Sequence, residues 1–303
     1  MPKSTTPQLQ DFITEPQLTR LINLAKVEDM GPDDCDITSS LFVPESLQAS
    51  ATIGARQKGR LAGAALVPQI LAAYDSRLQY TANIHDSQAV SPGQSVGVIQ
   101  GPLQSLLSAE RVVLNFMTHL SGIASLTASY VTAVKGTKAG IYDTRKTIPG
   151  LRGLHKYAVA CGGGFNHRIG LYDAILVKDN HIAHTPNAQL GDALAQAIAK
   201  ARTLKPAPTF IEVEVDTLVQ LEAILKASPA PDMVLLDNMT NVELVTAVTL
   251  RDKLAPQVEL EASGGVNLST VTEIAQTGVD RIAVGALTHS APSLDLGLDI
   301  APA

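Results

Sequence analysis

The sequence predicts an α/β protein in two parts, a small mixed domain followed by a parallel α/β barrel of the TIM type. Three observations predict it. Beyond residue 137, apolar runs at 138–142, 173–177, 209–215, 232–236, 257–261 and 280–284 alternate with helical stretches, the signature of buried parallel strands joined by crossover helices. Charged residues and glycines follow those runs, where α/β folds place their ligands. Ahead of residue 137, strands and helices come in mixed order without βα repetition. A doubly wound sheet is the alternative, but no GxGxxG follows the first strand.

In chain order, residues 1–15 are polar and expected to fray. Leu21, Ile22, Leu24, Ala25 and Val27 give an amphipathic helix over 19–30, stopped by Gly31-Pro32. Asp34, Asp36 and Thr38 follow in a turn, with Asp36 as a cap before Leu41; a metal cluster is the competing reading. Strands are expected at 49–56, 78–84 and 95–99, with a short helix over 64–74. Leu103 to Val134 is the longest candidate helix, with a broad apolar face. Gly122 inside it costs about 1 kcal/mol relative to Ala unless it permits a close contact or a break. Helices at 151–160, 188–203, 217–228, 241–253 and 268–277 alternate with the later strands. The first domain is taken as 1–110 and the barrel as 111–290, with the loosely apolar tail 291–303 packing back onto the first domain.

With 303 residues, 45% hydrophobic, the chain is long enough to bury a large core. A net charge of −6, with no Trp, argues against nucleic-acid binding. Two distant cysteines, Cys35 and Cys161, make neither a disulfide framework nor a thiolate metal site. No signal-type segment and no membrane-length apolar run is read, so a cytoplasmic location is expected.

Lys and Arg together number only 23, yet residues 143–181 hold Arg145, Lys146, Arg152, His155, Lys156, His167, Arg168, Lys178 and His181. Arginines fork onto carboxylates or phosphates, lysines act as point charges, and His167 adds a donor, so the stretch reads as a pocket for a strongly anionic small molecule. Glu212, Glu214 and Asp216 share one face of a strand. Inward acids there need a cation or an ion pair, and Glu214 with Asp237 is the pair singled out for function. Ser263-Gly264-Gly265 and Gly285-Ala286, near His289, follow the last two strands and suit a phosphate. Two carboxylates and a phosphate cradle suit Mg²⁺ carried by a phosphorylated substrate, and the remaining cations call for a second polyanion. The chemistry is a transferase or lyase on a phosphosugar and a polyacid.

ERVVLNF at 110–116, DTRKTIPGLR at 143–152, KYAVACGGGFNHRIGLYDAILVKDNH at 156–181, EVEVD at 212–216, LLDNM at 235–239, EASGG at 261–265 and GVDRIAVGALTHS at 278–290 resemble quinolinate phosphoribosyltransferase, also called nicotinate-nucleotide pyrophosphorylase (carboxylating). GPDDCDIT is a weaker match, and Asp86-Ser87 stands where that family usually has Asp-Gly, so a different turn geometry is expected there. The resemblance implies a small α/β sandwich domain plus an incomplete, seven-stranded barrel, and Mg²⁺-dependent conversion of quinolinate and 5-phosphoribosyl 1-diphosphate (PRPP) to nicotinate mononucleotide, diphosphate and carbon dioxide. It implies a homodimer in which Arg111 reaches the neighbour's quinolinate, with higher assemblies left open. Arg145, His167, Arg168 and Lys178 would hold the carboxylates and ring, and Lys146 the phosphosugar. Glu214 and Asp237 would sit near the ribose or metal, and Gly264, Gly265 and Gly285 at the 5-phosphate. Rival readings are a Schiff-base aldolase using Lys178, a relative acting on another aromatic acid, and a silent binding protein.

Overall fold

The structure is a computed structural model and describes residues 6–302. Its first elements are α1 (Glu15–Met30), α2 (Ile37–Phe42), β1 (Gln48–Ala55), β2 (Gly59–Arg60), α3 (Val67–Tyr74), β3 (Gln79–Ala82), β4 (Ala89–Val90), β5 (Ser95–Pro102) and the long α4 (Leu103–Ala133). Then come β6 (Gly140–Tyr142), α5 (Arg152–Cys161), β7 (Ile175–Val177), α6 (Asp179–Ile182), α7 (Asn187–Ala201), β8 (Ile211–Val215) and α8 (Leu218–Leu225). The chain ends with β9 (Met233–Asp237), α9 (Asn241–Leu254), β10 (Glu259–Ser263), α10 (Val271–Gln276), β11 (Arg281–Ala283), α11 (Ala286–His289) and β12 (Leu296–Pro302).

The chain divides into two compact units, and the division is not at 110/111. One unit takes the described residues up to Ala128, Thr147–Gly163 and the chain from Leu287 on; the other takes Ser129–Lys146 and Gly164–Ala286. The physical reason is α4. Ser121 Oγ accepts the Ala62 N–H at 3.0 Å and Ser125 Oγ accepts the Arg60 N–H at 2.8 Å, so the helix serves the first unit well past residue 110.

The first unit is built on an antiparallel sheet in the order β12-β1-β5-β3. The alternation in β1 buries Ala51, Ile53 and Ala55 on one face. β12 runs antiparallel to β1 from Ala49↔Pro302 to Ala55↔Leu296, so the tail packs back onto the first unit as expected, and it does so as an ordered strand. Near the N-terminus, Leu9–Asp11 is a turn of 3₁₀ helix and Ile13 is buried. Fraying is therefore not the state of residues 9–13, whereas residues 1–5 lie outside the described chain. Asp36 caps α2, its Oδ1 accepting the Ser39 N–H at 3.0 Å, and its turn serves the helix. Gly122 touches the tail: a Cβ there would meet the Pro292 carbonyl oxygen. By length and composition α4 alone, among the described residues, passes for a membrane span, contrary to the sequence reading, yet over half of that stretch is buried within the protein.

The second unit carries a parallel sheet in the order β6-β11-β10-β9-β8-β7. β8 is buried at every position, as a strand covered on both faces must be. Thr217 and Thr240 open α8 and α9 as N-caps, accepting the N–H of Gln220 and Glu243. The implied seven strands are six among the described residues. Beside β6 the chain makes a single parallel bridge, Tyr142↔Phe165. Directly after it, Asp143 accepts the His167 N–H and the Asn166 side-chain amide, each at 2.7 Å, which takes the chain off the sheet edge before a strand can extend.

Candidate active site

In the second unit, the strand ends surround a cleft of about 450 Å³. Arg145 and Lys146 come from the loop after β6, His167 and Arg168 from the loop held by Asp143, Lys178 from the end of β7, Glu214 from β8, Asp237 from β9, and Glu261 and Ser263 from β10. The structure thus brings the sequence-predicted cations and carboxylates of this unit together. Gly264, Gly265 and Gly285 do not line the cleft wall, although Gly264 and Gly265 follow it directly with φ of 99° and 61°. A Cβ on Gly264 would meet the Asn238 side-chain amide, so glycine there allows the loops after β9 and β10 to close up. Arg111 and His289 belong to the first unit. So do Arg152, His155 and Lys156 on α5.

Each functional side chain is aimed by local bonds. Asp143 is fully buried and fixes the Asn166-His167-Arg168 loop. Asp173 accepts the N–H groups of Ile169 and Gly170 at 2.8 and 2.7 Å, closing that loop. His181 Nδ1 accepts the Lys178 N–H at 2.8 Å, which explains the spacing within VKDNH. Lys178 Nζ pairs with Glu214 Oε2 at 2.7 Å, the lysine about half exposed and the glutamate nearly buried.

The electrostatics of the cleft suit an anion. Arg145 Nε is buried with no hydrogen-bond partner. Burial, followed by the nearby Arg145 charge, pushes Arg168 below the usual guanidinium range. Two guanidiniums placed to repel each other, in a cleft, are costly unless a multiply charged anion joins them.

Beneath the cleft lies a layer that the sequence reading did not single out. Glu212 and Glu261 are fully buried. Burial pushes Glu212 up to about 7, against the opposing pull of Arg281. Burial, then the Glu212 charge, pushes Glu261 to about 7. Arg281 Nε donates to Glu261 Oε2 at 2.8 Å, and its guanidinium lies 3.7 Å over the Tyr142 ring. His167, Glu212 and Glu261 bring potential metal-ligand atoms within 4.8 Å of one another, but Arg281 already supplies positive charge there. The E-V-E alternation of β8 was the available signal for Glu212. Nothing in the sequence marked Arg281 as the neighbour of Glu261 across the sheet.

In the first unit, Arg111 lies on α4 with its side chain about two-thirds exposed and only a loose 3.8 Å pairing to Glu110. It lines a surface cleft of about 360 Å³ with Glu28, Asp29, Asn115 and His119. His289 is exposed beside Ser290.

Comparison with known proteins identifies a family. The family pattern described as quinolinate phosphoribosyl transferase, N-terminal domain, matches residues 36–121, and its C-terminal counterpart matches 123–299. A nicotinate-nucleotide pyrophosphorylase [carboxylating] of Mycobacterium leprae is 44% identical over 269 residues, spanning 88% of this chain and 91% of its own length. A quinolinate phosphoribosyltransferase [decarboxylating] of Nicotiana tabacum is 36% identical, spanning 98% of this chain and 88% of its own. Among solved structures, the nicotinate-nucleotide pyrophosphorylase of Francisella tularensis superposes with a TM-score of 0.85 at 35% identity, covering 99% of this chain and all of that one.

Proposed function

The chain belongs to the quinolinate phosphoribosyltransferase family, and on that premise we propose that it joins the 5-phosphoribosyl group of PRPP to the ring nitrogen of quinolinate. The products are nicotinate mononucleotide, diphosphate and carbon dioxide, a step of de novo NAD synthesis. The observation that carries this reading is the pair of guanidiniums, Arg145 and Arg168, facing one cleft with the Arg145 Nε unpartnered. Quinolinate brings two carboxylates to such a pair, whereas nicotinate brings one and leaves a buried cation unmatched.

The pyridine nitrogen is the nucleophile, so the protein's task is to position it against C1 of the ribose. Arg145, Arg168 and Lys178 orient the acid. Glu214 and Asp237, on adjacent strands, face the positive charge that develops at C1 as diphosphate leaves, and Lys146 faces the phosphosugar. Ser263, Gly264, Gly265 and Gly285 offer small residues to the 5-phosphate. Glu214 and Asp237 are hard oxygen donors on one cleft wall, a set that fits Mg²⁺ held partly through water. Bound there with PRPP, Mg²⁺ would neutralise charge on the departing diphosphate. After ribosylation the ring is cationic, and the carboxylate beside the nitrogen leaves as carbon dioxide. The proton that replaces it comes from Lys178 or from water.

Arg111 is read as serving the site of a second copy, in a homodimer. The unpaired cysteines Cys35 and Cys161 suit a cytoplasmic enzyme. An aldolase using Lys178 fits less well, because that lysine is half exposed and ion-paired, not a desolvated amine.

The test is to incubate the protein with quinolinate, PRPP and Mg²⁺ and measure nicotinate mononucleotide and carbon dioxide together. Equal amounts, abolished by chelation, support the reaction and its metal. Mixing Arg111→Ala with Lys178→Ala protein then restores activity that neither variant has alone if the site is shared. No turnover while both ligands bind would overturn the assignment.

A further inference from the structure

The His167 imidazole is held at both nitrogens. Its Nδ1 accepts the backbone N–H of Arg168 at 2.8 Å. A backbone N–H only donates, so Nδ1 carries the lone pair and the ring proton of the neutral imidazole sits on Nε2. That Nε2–H faces Glu212 Oε2 at 2.7 Å, with Glu261 Oε1 at 3.5 Å. The ring therefore has one tautomer and one orientation, held from one side by the Arg168 N–H and from the other by Glu212.

The consequence passes to Arg168. Its N–H is tied to the ring, and its guanidinium makes a long 3.4 Å bond to the Ala174 carbonyl. The guanidinium's direction therefore depends on the backbone from which it starts. Glu212 is fully buried, and its other oxygen, Oε1, has no partner. A fully buried carboxyl group with an unpaired oxygen is expensive in a barrel interior, where an apolar residue would pack more favourably. Arg281, stacked on Tyr142 and bonded to Glu261, stiffens the same layer from the next strands.

We propose that Glu212 is a positioning residue: its hydrogen bond fixes the His167 imidazole and, through Nδ1, the Arg168 backbone, so that the Arg168 guanidinium meets the substrate carboxylate at a set angle. This rests on the reading of the cleft as the quinolinate site. It makes reach, rather than charge, the property that matters at position 212.

Two substitutions in the full-length protein separate reach from charge. Glu212→Gln keeps the length and an acceptor oxygen but drops the charge. Glu212→Asp keeps the acid and withdraws it from the ring. We measure KM for quinolinate and for PRPP, kcat, and the ¹⁵N shifts of the His167 ring. The wild type is expected to show the neutral Nε2–H form. Glu212→Asp is expected to lose that fixed tautomer and raise KM for quinolinate about tenfold, with KM for PRPP within about twofold. Glu212→Gln is expected to keep the tautomer and stay within about threefold on all three parameters. A near-normal Asp variant beside a disabled Gln variant would overturn the proposal, as would both KM values moving together or an unchanged tautomer in Glu212→Asp. If the wild type does not turn over quinolinate, the cleft reading fails on its own, and the ¹⁵N shifts still decide whether Glu212 sets the ring.

Discussion

Ser87 adopts φ of 72°, the left-handed region that a side chain enters at a cost of about 1–2 kcal/mol. The sequence reading expected a different turn where the family carries glycine; Ser87 instead holds a glycine-type conformation. Ser87→Gly should therefore raise stability by about 1 kcal/mol, read as a higher urea midpoint, and a lower midpoint would contradict the strain. A second residue-scale prediction concerns His155. It is fully buried, with Nε2 2.9 Å from His119 Nε2 and Nδ1 unpartnered. Burial, then the His119 charge, pushes it down to about 4, and burial lowers His119 as well. Between about 6.5 and 4 the unfolded chain binds a proton that the folded His155 refuses, so stability falls as pH falls through that window. Denaturant unfolding at several pH values should show this slope, and His155→Leu should flatten it. At this scale the sequence was readable where chemistry and spacing coincide: Asp36 as a cap, and the cations of 143–146 and 167–178 around one cleft. It was unreadable where partners come from distant strands, as with His167, whose ring nitrogens are both engaged within the protein, and with the Glu261–Arg281 pair.

Helix α4 shows why one element can be found correctly and its role misjudged. Its span was evident from the apolar face, yet its packing extends the first unit to residue 128. Gly122 is the close contact that the sequence left open. Ala at that position gains about 1 kcal/mol of helix propensity but forces a Cβ onto the Pro292 carbonyl, an overpacking cost of about 1–3 kcal/mol. Gly122→Ala is thus expected to lower thermal stability, and a rise in melting temperature would mean that the tail yields freely. The tail itself was legible in the alternation of Leu294, Leu296, Leu298 and Ile300. Read as loosely apolar, it is a strand on β1, because an open sheet edge is the cheapest place for such a period-two segment. The missing seventh strand has the opposite cause: the Asp143 bonds to the next residues end the pairing after Phe165, and such a capture leaves no periodic trace.

At the scale of the whole molecule, the sequence was read as two contiguous domains, and the chain instead interleaves its two compact units, sending residues 147–163 and the C-terminal segment back to the first. Hydrophobic periodicity identifies elements but not which unit they join, so nothing in the sequence separated Arg152, His155 and Lys156 from the unit of their neighbours at 143–146. The proposed selection of a dicarboxylate by the two-arginine cleft does not depend on that boundary, because both arginines lie in one unit. The most direct measurement is kcat/KM for quinolinate and for nicotinate with PRPP and Mg²⁺, on wild-type protein under identical conditions. The account predicts a preference for quinolinate of at least about a hundredfold, because nicotinate leaves one guanidinium unpaired. Equal values for the two acids would contradict it.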